Sequence, residues 1–180
     1  MDLKNFKINR TLIFIVLALV AFGVIMRLVP HPVNLAPVGA IALFAGAVLP
    51  RKLAWWLPLG ILVISDLIIG PYSSMLFTWA AFLLVTLFGM TLRDTSNWLR
   101  VPFGALGASV IFFIVSNFGT WLQGGMYEHT WAGLMLCYEM ALPFFRNTFV
   151  GDLAYSVLLF GVYALAVRWV PQTKAVTEQN

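Results

Sequence analysis

Six long apolar runs, separated by short segments that hold prolines, glycines and charges, constrain this chain most strongly. Of its 180 residues, 61% are hydrophobic and 10% are charged, whereas soluble domains carry roughly 25% charged residues. The runs are continuous and show none of the alternation typical of a membrane β-barrel. We therefore predict a single all-α, polytopic membrane domain over residues 1–180, embedded in the lipid bilayer.

The six runs predict six transmembrane helices, whose ends coincide with residues that interrupt helices, such as Pro30, Pro50 and Gly124. The second run is the shortest. As a helix it would rise roughly 22 Å, which is less than the ~30 Å thickness of the hydrocarbon core. We expect the loop 124–142, between the fifth and sixth spans, to hold a short helix that lies at the outer membrane surface. The predicted spans are residues 11–29, 35–49, 53–70, 75–92, 102–123 and 143–169.

The first run follows three basic residues, a pattern that also begins secretory signal peptides. It lacks a small-x-small cleavage site and five more apolar runs follow, so we interpret it as a retained span. With both termini in the cytoplasm, nine of the eleven basic residues lie in cytoplasmic segments, as the positive-inside rule favours. These nine are Lys4, Lys7, Arg10, Arg51, Lys52, Arg93, Arg100, Arg168 and Lys174.

Charged side chains in the outer half of the predicted bundle are the first candidates for a binding site. A charge at the centre of a span costs about 2.5–3.5 kcal/mol, so such groups usually face the bundle interior and find partners. We expect neutral pairs, for example Arg146 with Asp66. Two interpretations remain open: structural ion pairs that hold the helices in register, or the polar floor of an outward-facing pocket. The charged and amide residues at this depth are Arg27, Asn34, Asp66, Asn117, Arg146, Asn147 and Asp152.

Three aromatic residues flank a Gly-Gly turn close to Asn117: Trp121, Tyr127 and Trp131. Flat rings beside amide donors suit a planar heterocyclic ligand. Tryptophan and tyrosine are also enriched at membrane interfaces whatever the function. Binding and membrane anchoring therefore remain alternatives for these rings.

Motifs for catalysis and nucleotide binding are absent from the sequence, which contains no GxSxG, HExxH, Walker A or CxxC pattern. We predict neither an enzyme nor a bound cofactor, and the scattered basic residues do not indicate nucleic-acid binding. His31, His129 and Cys137 are the remaining candidate metal ligands, but their spacing fits no standard ligand set. Contact of a thiolate or imidazole with a metal-containing solute such as a corrinoid is an alternative.

Four segments, covering roughly residues 27–161, resemble an uncharacterised family of bacterial membrane proteins described as putative transport proteins. They read RLVPHPVNLAPVGAIALFAGA, LPLGILVISDLIIG, SNFGTWLQGGMYEHTWAG and ALPFFRNTFVGDLAYSVLLFG. The resemblance implies a bacterial inner (plasma) membrane protein and transport.

In size and six-span layout, the chain is also similar to the S-components of energy-coupling-factor vitamin transporters. That similarity implies an outward-opening pocket and a transmembrane coupling subunit with ATPases, which docks on an AxxxA face, usually of the first helix. Here the small-residue face lies on the second span, at Ala36 to Ala40 and Ala42 to Gly46. A solitary transporter is therefore the alternative.

Together these patterns predict a protein that captures a small, vitamin-like or heterocyclic solute from outside and helps it inward. Arg146 would meet an anionic or carbonyl group, the asparagines would form directional hydrogen bonds, and Trp121 and Tyr127 would stack on the solute. The alternative function is a non-transport scaffold or a subunit of a larger complex, with structural outer charges. The expected site residues are Asn34, Asp66, Asn117, Trp121, Tyr127, Arg146, Asn147 and Asp152.

Overall fold

A computed structural model of the protein describes residues 10–93 and 99–169. Within these ranges the chain forms six α-helices and no strand, which confirms the predicted all-helical class. The helices are α1 (Arg10–Leu28), α2 (Val38–Val48), α3 (Arg51–Ile69), α4 (Met75–Met90), α5 (Arg100–Gln123) and α6 (Trp131–Trp169). Of the basic residues used to predict the orientation, Lys4, Lys7 and Lys174 lie outside the described residues, as do the side chains of Arg10 and Arg168.

Three of the described helices are long and apolar enough to cross a membrane: α3, α5 and α6. The other three contain shorter apolar stretches, which are Leu12–Leu28, Val38–Val48 and Met75–Met90. The outer surface carries large hydrophobic side chains, among them Leu67, Phe14 and Trp56, each at least 70% exposed. Water would penalise such a surface, whereas lipid would not. Helix length and surface chemistry therefore both indicate a membrane protein.

The short helix α2 lies at the centre of the bundle, and ten of its eleven residues are buried. It packs against all five other helices. Gly46 of α2 and Gly89 of α4 permit the closest of these contacts, because a Cβ atom on Gly46 would overlap the Thr86 carbonyl oxygen, and one on Gly89 would overlap that of Leu43. The small residues Ala40, Ala42 and Gly46 therefore face other helices of the same chain and are not an exposed docking face.

α2 is shorter than the predicted span, since it begins at Val38 rather than at residue 35. Its rise of about 16 Å is roughly half of the hydrocarbon core. Asn34, in the preceding turn, has a φ of 63°, a left-handed conformation that asparagine tolerates better than most residues. At the other end, Arg93 donates hydrogen bonds from Nε to the Gly46 carbonyl and from Nη2 to the Leu49 carbonyl, both at 2.7 Å.

The predicted short surface helix within 124–142 is wrong as an independent element. Residues from Trp131 onward form the start of a single 39-residue helix, α6, which continues through Pro143 to Trp169. This first part packs along α5: the Tyr138 hydroxyl donates to the Ile114 carbonyl at 2.8 Å, and the Tyr138 ring packs against Phe113. Contacts with α5 thus outweigh the tendency of proline to interrupt a helix.

Candidate functional site

A pocket opens between the end of α1, the segment before α2, and helices α2, α4, α5 and α6. It has two adjoining lobes, a smaller one of about 180 Å³ and a larger one of about 300 Å³. Asn34, Thr78, Phe112 and Thr148 line both lobes and so join them into one site. Together the lobes fall within the size range of small-molecule sites, roughly 300–1,000 Å³.

The smaller lobe combines aromatic rings with hydroxyl and amide groups from α5 and α6. Several of its polar hydrogens are used within the helices: Ser116 donates to the Phe112 carbonyl at 2.6 Å, and Asn117 Nδ2 donates to the Phe113 carbonyl at 2.8 Å. Thr78 and Thr148 likewise donate to carbonyls one turn earlier in their own helices. A hydroxyl that donates in this way keeps its oxygen lone pairs. These hydroxyls therefore offer acceptors to a ligand, while the side chains of Asn34 and Ser74 can also donate.

Asp152 lines the larger lobe from α6 and is only 3% exposed. Its Oδ2 accepts a hydrogen bond from the Ser109 hydroxyl of α5 at 2.8 Å, and the backbone N–H of Ala40 in α2 also donates to the carboxylate. Ala40 belongs to the first turn of α2, whose free N–H groups carry a partial positive charge. Asp152 thus holds three helices together at the pocket.

Gly39 explains why the carboxylate can reach the start of α2. A Cβ atom at this position would overlap Oδ1 of Asp152. The absence of a side chain therefore leaves the space that the carboxylate fills, and any larger residue would displace it. Gly39 itself lines the larger lobe beside Asp152.

Arg27 lies at the rim of the larger lobe and is neutralised there by Asp66. Its Nη2 lies 2.7 Å from Asp66 Oδ1, and its Nη1 donates to the Ser65 hydroxyl at 2.8 Å. The other carboxylate oxygen, Oδ2, accepts from the Trp79 indole N–H at 2.7 Å. Burial raises the pKa of the Tyr72 phenol, whose hydroxyl lies 3.5 Å from the same Oδ2, so it remains a neutral donor.

The predicted pairing of Arg146 with Asp66 is therefore wrong. The end of α3 meets the end of α1, so Asp66 reaches Arg27. Arg146 is exposed on α6 and does not line either lobe. Asp66 lies behind the wall of the pocket, since it orients Arg27 rather than lining a lobe itself.

The structure brings three of the eight predicted site residues into the pocket lining: Asn34, Asn117 and Asp152. Asn147 supports the wall, because its Nδ2 donates at 3.1 Å to the Val33 carbonyl and so ties the segment before α2 to α6. The remaining predicted residues lie elsewhere.

Trp121 and Tyr127 do not line either lobe. The Trp121 indole donates to the Glu128 carbonyl at 2.9 Å, and its ring meets His129 edge-on with centroids 5.4 Å apart. Trp121 therefore fixes the turn between α5 and α6. Glu128 and His129 themselves are exposed.

The three candidate metal ligands are not gathered into one site. His31 lines the rim of the larger lobe, His129 packs on Trp121, and Cys137 is buried with its thiol directed at the Asn117 carbonyl at 3.5 Å. Within the described ranges, no group of three or more histidine, cysteine or acidic residues is positioned to hold a metal ion.

Several lining residues escaped the sequence analysis because they look like ordinary span residues. On α5, Phe112, Ser116 and Thr120 recur every four residues, and Phe113 and Asn117 share that spacing, so all five lie on one face. A polar stripe of this period inside an apolar span is a signal that the sequence does contain. Ser109, by contrast, carries no local signal, since only its contact with Asp152 gives it a role.

Comparison with curated proteins and with solved structures gave no match. A family model, described as a family of unknown function (DUF6580), matches residues 6–174. The match covers nearly the whole chain and therefore includes every element that forms the pocket. The chain belongs to this family of unknown function, DUF6580.

Proposed function

We propose that this protein is a six-span transport protein of the bacterial inner membrane, with both termini inside. It binds a small solute in the two-lobed pocket from the outer side and helps it inward. The observation that carries this proposal is the pocket itself, in which a buried carboxylate, hydroxyls and amides line a cavity of ligand size. In an apolar chain such groups are costly and are typical of a substrate path.

The lining also has the mixed character expected of a site for an organic solute. Phe112, Phe144 and Phe145 supply apolar faces, while Asn117 and Thr148 supply polar contacts. Recognition of a planar or heterocyclic solute needs both kinds of group. The rings that would stack on the solute are thus phenylalanines of α5 and α6, in place of Trp121 and Tyr127.

Among transport modes, the structure favours one that does not dock a coupling subunit on α2. Of the small residues expected to form a docking face, Ala40, Ala42 and Gly46 are buried within the bundle, and Ala36 lines the larger lobe. A solitary transporter is therefore our first proposal, and an S-component-like partner of a coupling subunit with ATPases is the second. A scaffold or complex subunit without a ligand remains the competing function.

The proposal can be tested by filling the pocket. Thr148 lines both lobes and is buried, so Thr148→Phe should abolish solute binding. Val162→Phe, at a 59% exposed position of the same helix, is the matched control and should bind as the wild type does. The measurement is native mass spectrometry of detergent-purified protein incubated with bacterial cell extract. If wild type and Thr148→Phe retain the same solutes, or neither retains any, the pocket is not a solute site.

A further inference from the structure

We propose that the pocket selects an organic cation, whose positively charged group lies beside Asp152 while its apolar part lies among the phenylalanine rings. This inference rests on the proposed function, and it names the chemical class of the solute. It reverses the expectation from the sequence, in which Arg146 would attract an anionic group.

The first observation concerns the charged residues that line the pocket. The lining contains one arginine and one aspartate, Arg27 and Asp152. Arg27 is already paired with Asp66 at 2.7 Å. Asp152 has no such partner: its contacts are a serine hydroxyl and one backbone N–H, and no ion pair to it forms in the part of the chain that the structure describes. Asp152 is therefore the one acidic residue of the lining, and it has no ion-pair partner among the described residues.

The contacts of Asp152 leave capacity for a ligand. An ionised carboxylate accepts at about four lone-pair sites. The Ser109 hydroxyl and the Ala40 N–H account for two hydrogen bonds. The start of α2 contributes only about half of a positive charge, so it stabilises the carboxylate without cancelling it. A cation beside this carboxyl group would favour its ionised form, because a buried carboxylate without an opposite charge is costly.

The hydrogen-bonding groups of the smaller lobe point to the same class of ligand. The hydroxyls of Thr78, Ser116 and Thr148 and the amide N–H of Asn117 donate to carbonyls of their own helices. Their oxygens remain as acceptors, which suit the N–H groups of an ammonium or a protonated heterocycle.

The aromatic lining favours an organic cation over a metal ion. Phe112 lines both lobes, Phe82 lines the larger lobe, and Phe144 and Phe145 line the smaller one. Aromatic faces attract organic cations electrostatically. Ca²⁺ would instead need six to eight oxygen ligands, and the described residues contain no cluster of acidic groups that could supply them.

Three probes of one shape test the inference on wild-type protein: 2-phenylethylammonium, 2-phenylethanol and phenylacetate. Each carries one phenyl ring, and they differ in the charge of the terminal group. Binding is measured at pH 7 by competition in saturation-transfer NMR with detergent-solubilised protein. We expect the ammonium to bind with a dissociation constant of about 1 mM or tighter and about tenfold more tightly than the alcohol. Phenylacetate should bind weakest of the three.

Two variants assign the preference to one residue. Asp152→Asn should remove the preference for the ammonium over the alcohol, whereas Glu139→Gln, at an exposed carboxylate of the same helix, should keep it. If Asp152→Asn does not fold, the comparison of the three probes on the wild type still decides. Equal affinity for ammonium and alcohol, a preference for phenylacetate, or no binding of the ammonium would overturn the inference. The proposed function fails separately, when the pocket-filling variant leaves retention of extract solutes unchanged.

Discussion

Asp152 and Arg93 hold opposite ends of the same buried helix. The carboxylate of Asp152 accepts a hydrogen bond from the Ala40 N–H in the first turn of α2, and the guanidinium of Arg93 donates to the Gly46 and Leu49 carbonyls at its end. An acidic group at the start and a basic group at the end both complement the helix dipole. A helix too short to span the hydrocarbon core thereby has backbone groups at both ends satisfied by side chains.

Loss of the contact at the end of α2 should weaken the bundle. Replacing Arg93 by methionine removes both hydrogen bonds and leaves two carbonyls without these donors. We expect the free energy of unfolding to fall by about 2–4 kcal/mol, since each charged hydrogen bond contributes about 1.5–3 kcal/mol and water replaces part of it. Denaturation in mixed detergent micelles measures the change. Arg146→Met, at an exposed position, should change stability little, and equal effects of the two substitutions would contradict this role of Arg93.

The ion pair between Arg27 and Asp66 predicts strong coupling. Asp66→Leu leaves the largely buried Arg27 without its partner and should destabilise the protein by about 3–5 kcal/mol. The double substitution Arg27→Met with Asp66→Leu removes both charges and should recover much of that loss. Thermal unfolding of the wild type, the two single variants and the double variant gives the coupling free energy between the two residues. Additive effects would show that the two residues do not act as a pair.

The contact between α2 and α4 depends on two glycines. Gly46→Ala places a methyl group against the Thr86 carbonyl, which belongs to the backbone and cannot rotate away. We expect a loss of about 1–3 kcal/mol in stability from overpacking. Gly161→Ala in α6 is the control, because nothing lies within 4 Å of its added methyl group, and it should stabilise the helix slightly, by up to about 1 kcal/mol. The prediction is wrong if both alanines are tolerated equally.

The buried thiol predicts a structural role for Cys137. Its S–H group donates weakly to the Asn117 carbonyl. The two histidines make other contacts, since His129 packs on Trp121 and His31 contacts the Pro32 carbonyl. Cys137→Ser should therefore retain the solutes that wild type takes from cell extract, with a stability change below about 2 kcal/mol. Native mass spectrometry and a thermal melt measure the two quantities. Loss of ligand retention in a folded Cys137→Ser protein would show that the thiol takes part in ligand binding.

The sequence was sufficient to predict the helical class and the places where most helices end. Apolar runs and helix-interrupting residues are local signals, and Pro50 and Gly70 indeed lie at helix boundaries. The continuity of α6 through Pro143 could not be predicted in this way. It depends on packing of Tyr138 and Phe145 against α5, which no local pattern records.

Prediction of the site was limited in the same way, because local sequence patterns do not record which helices come into contact. Burial of Asp152 could be inferred from the high free-energy cost of exposing a carboxylate to lipid, and Asn117 stood out as an amide at similar depth. The partner of Asp66 depended on how α1 and α3 meet, so charge and depth alone favoured Arg146 as readily as Arg27. Which rings line the pocket likewise depends on the rotation of α5 and α6 about their axes, which the apolar composition of these spans does not specify.

The position of α2 also has a consequence for the order in which the protein can assemble. Ribosomes synthesise α2 before Arg93 and well before Asp152, so this segment leaves the ribosome before either residue that contacts its ends exists. Its eleven residues are too few to insert stably alone. The contacts of Arg93 and Asp152 with the two ends of α2 can therefore form only after α6 has been synthesised.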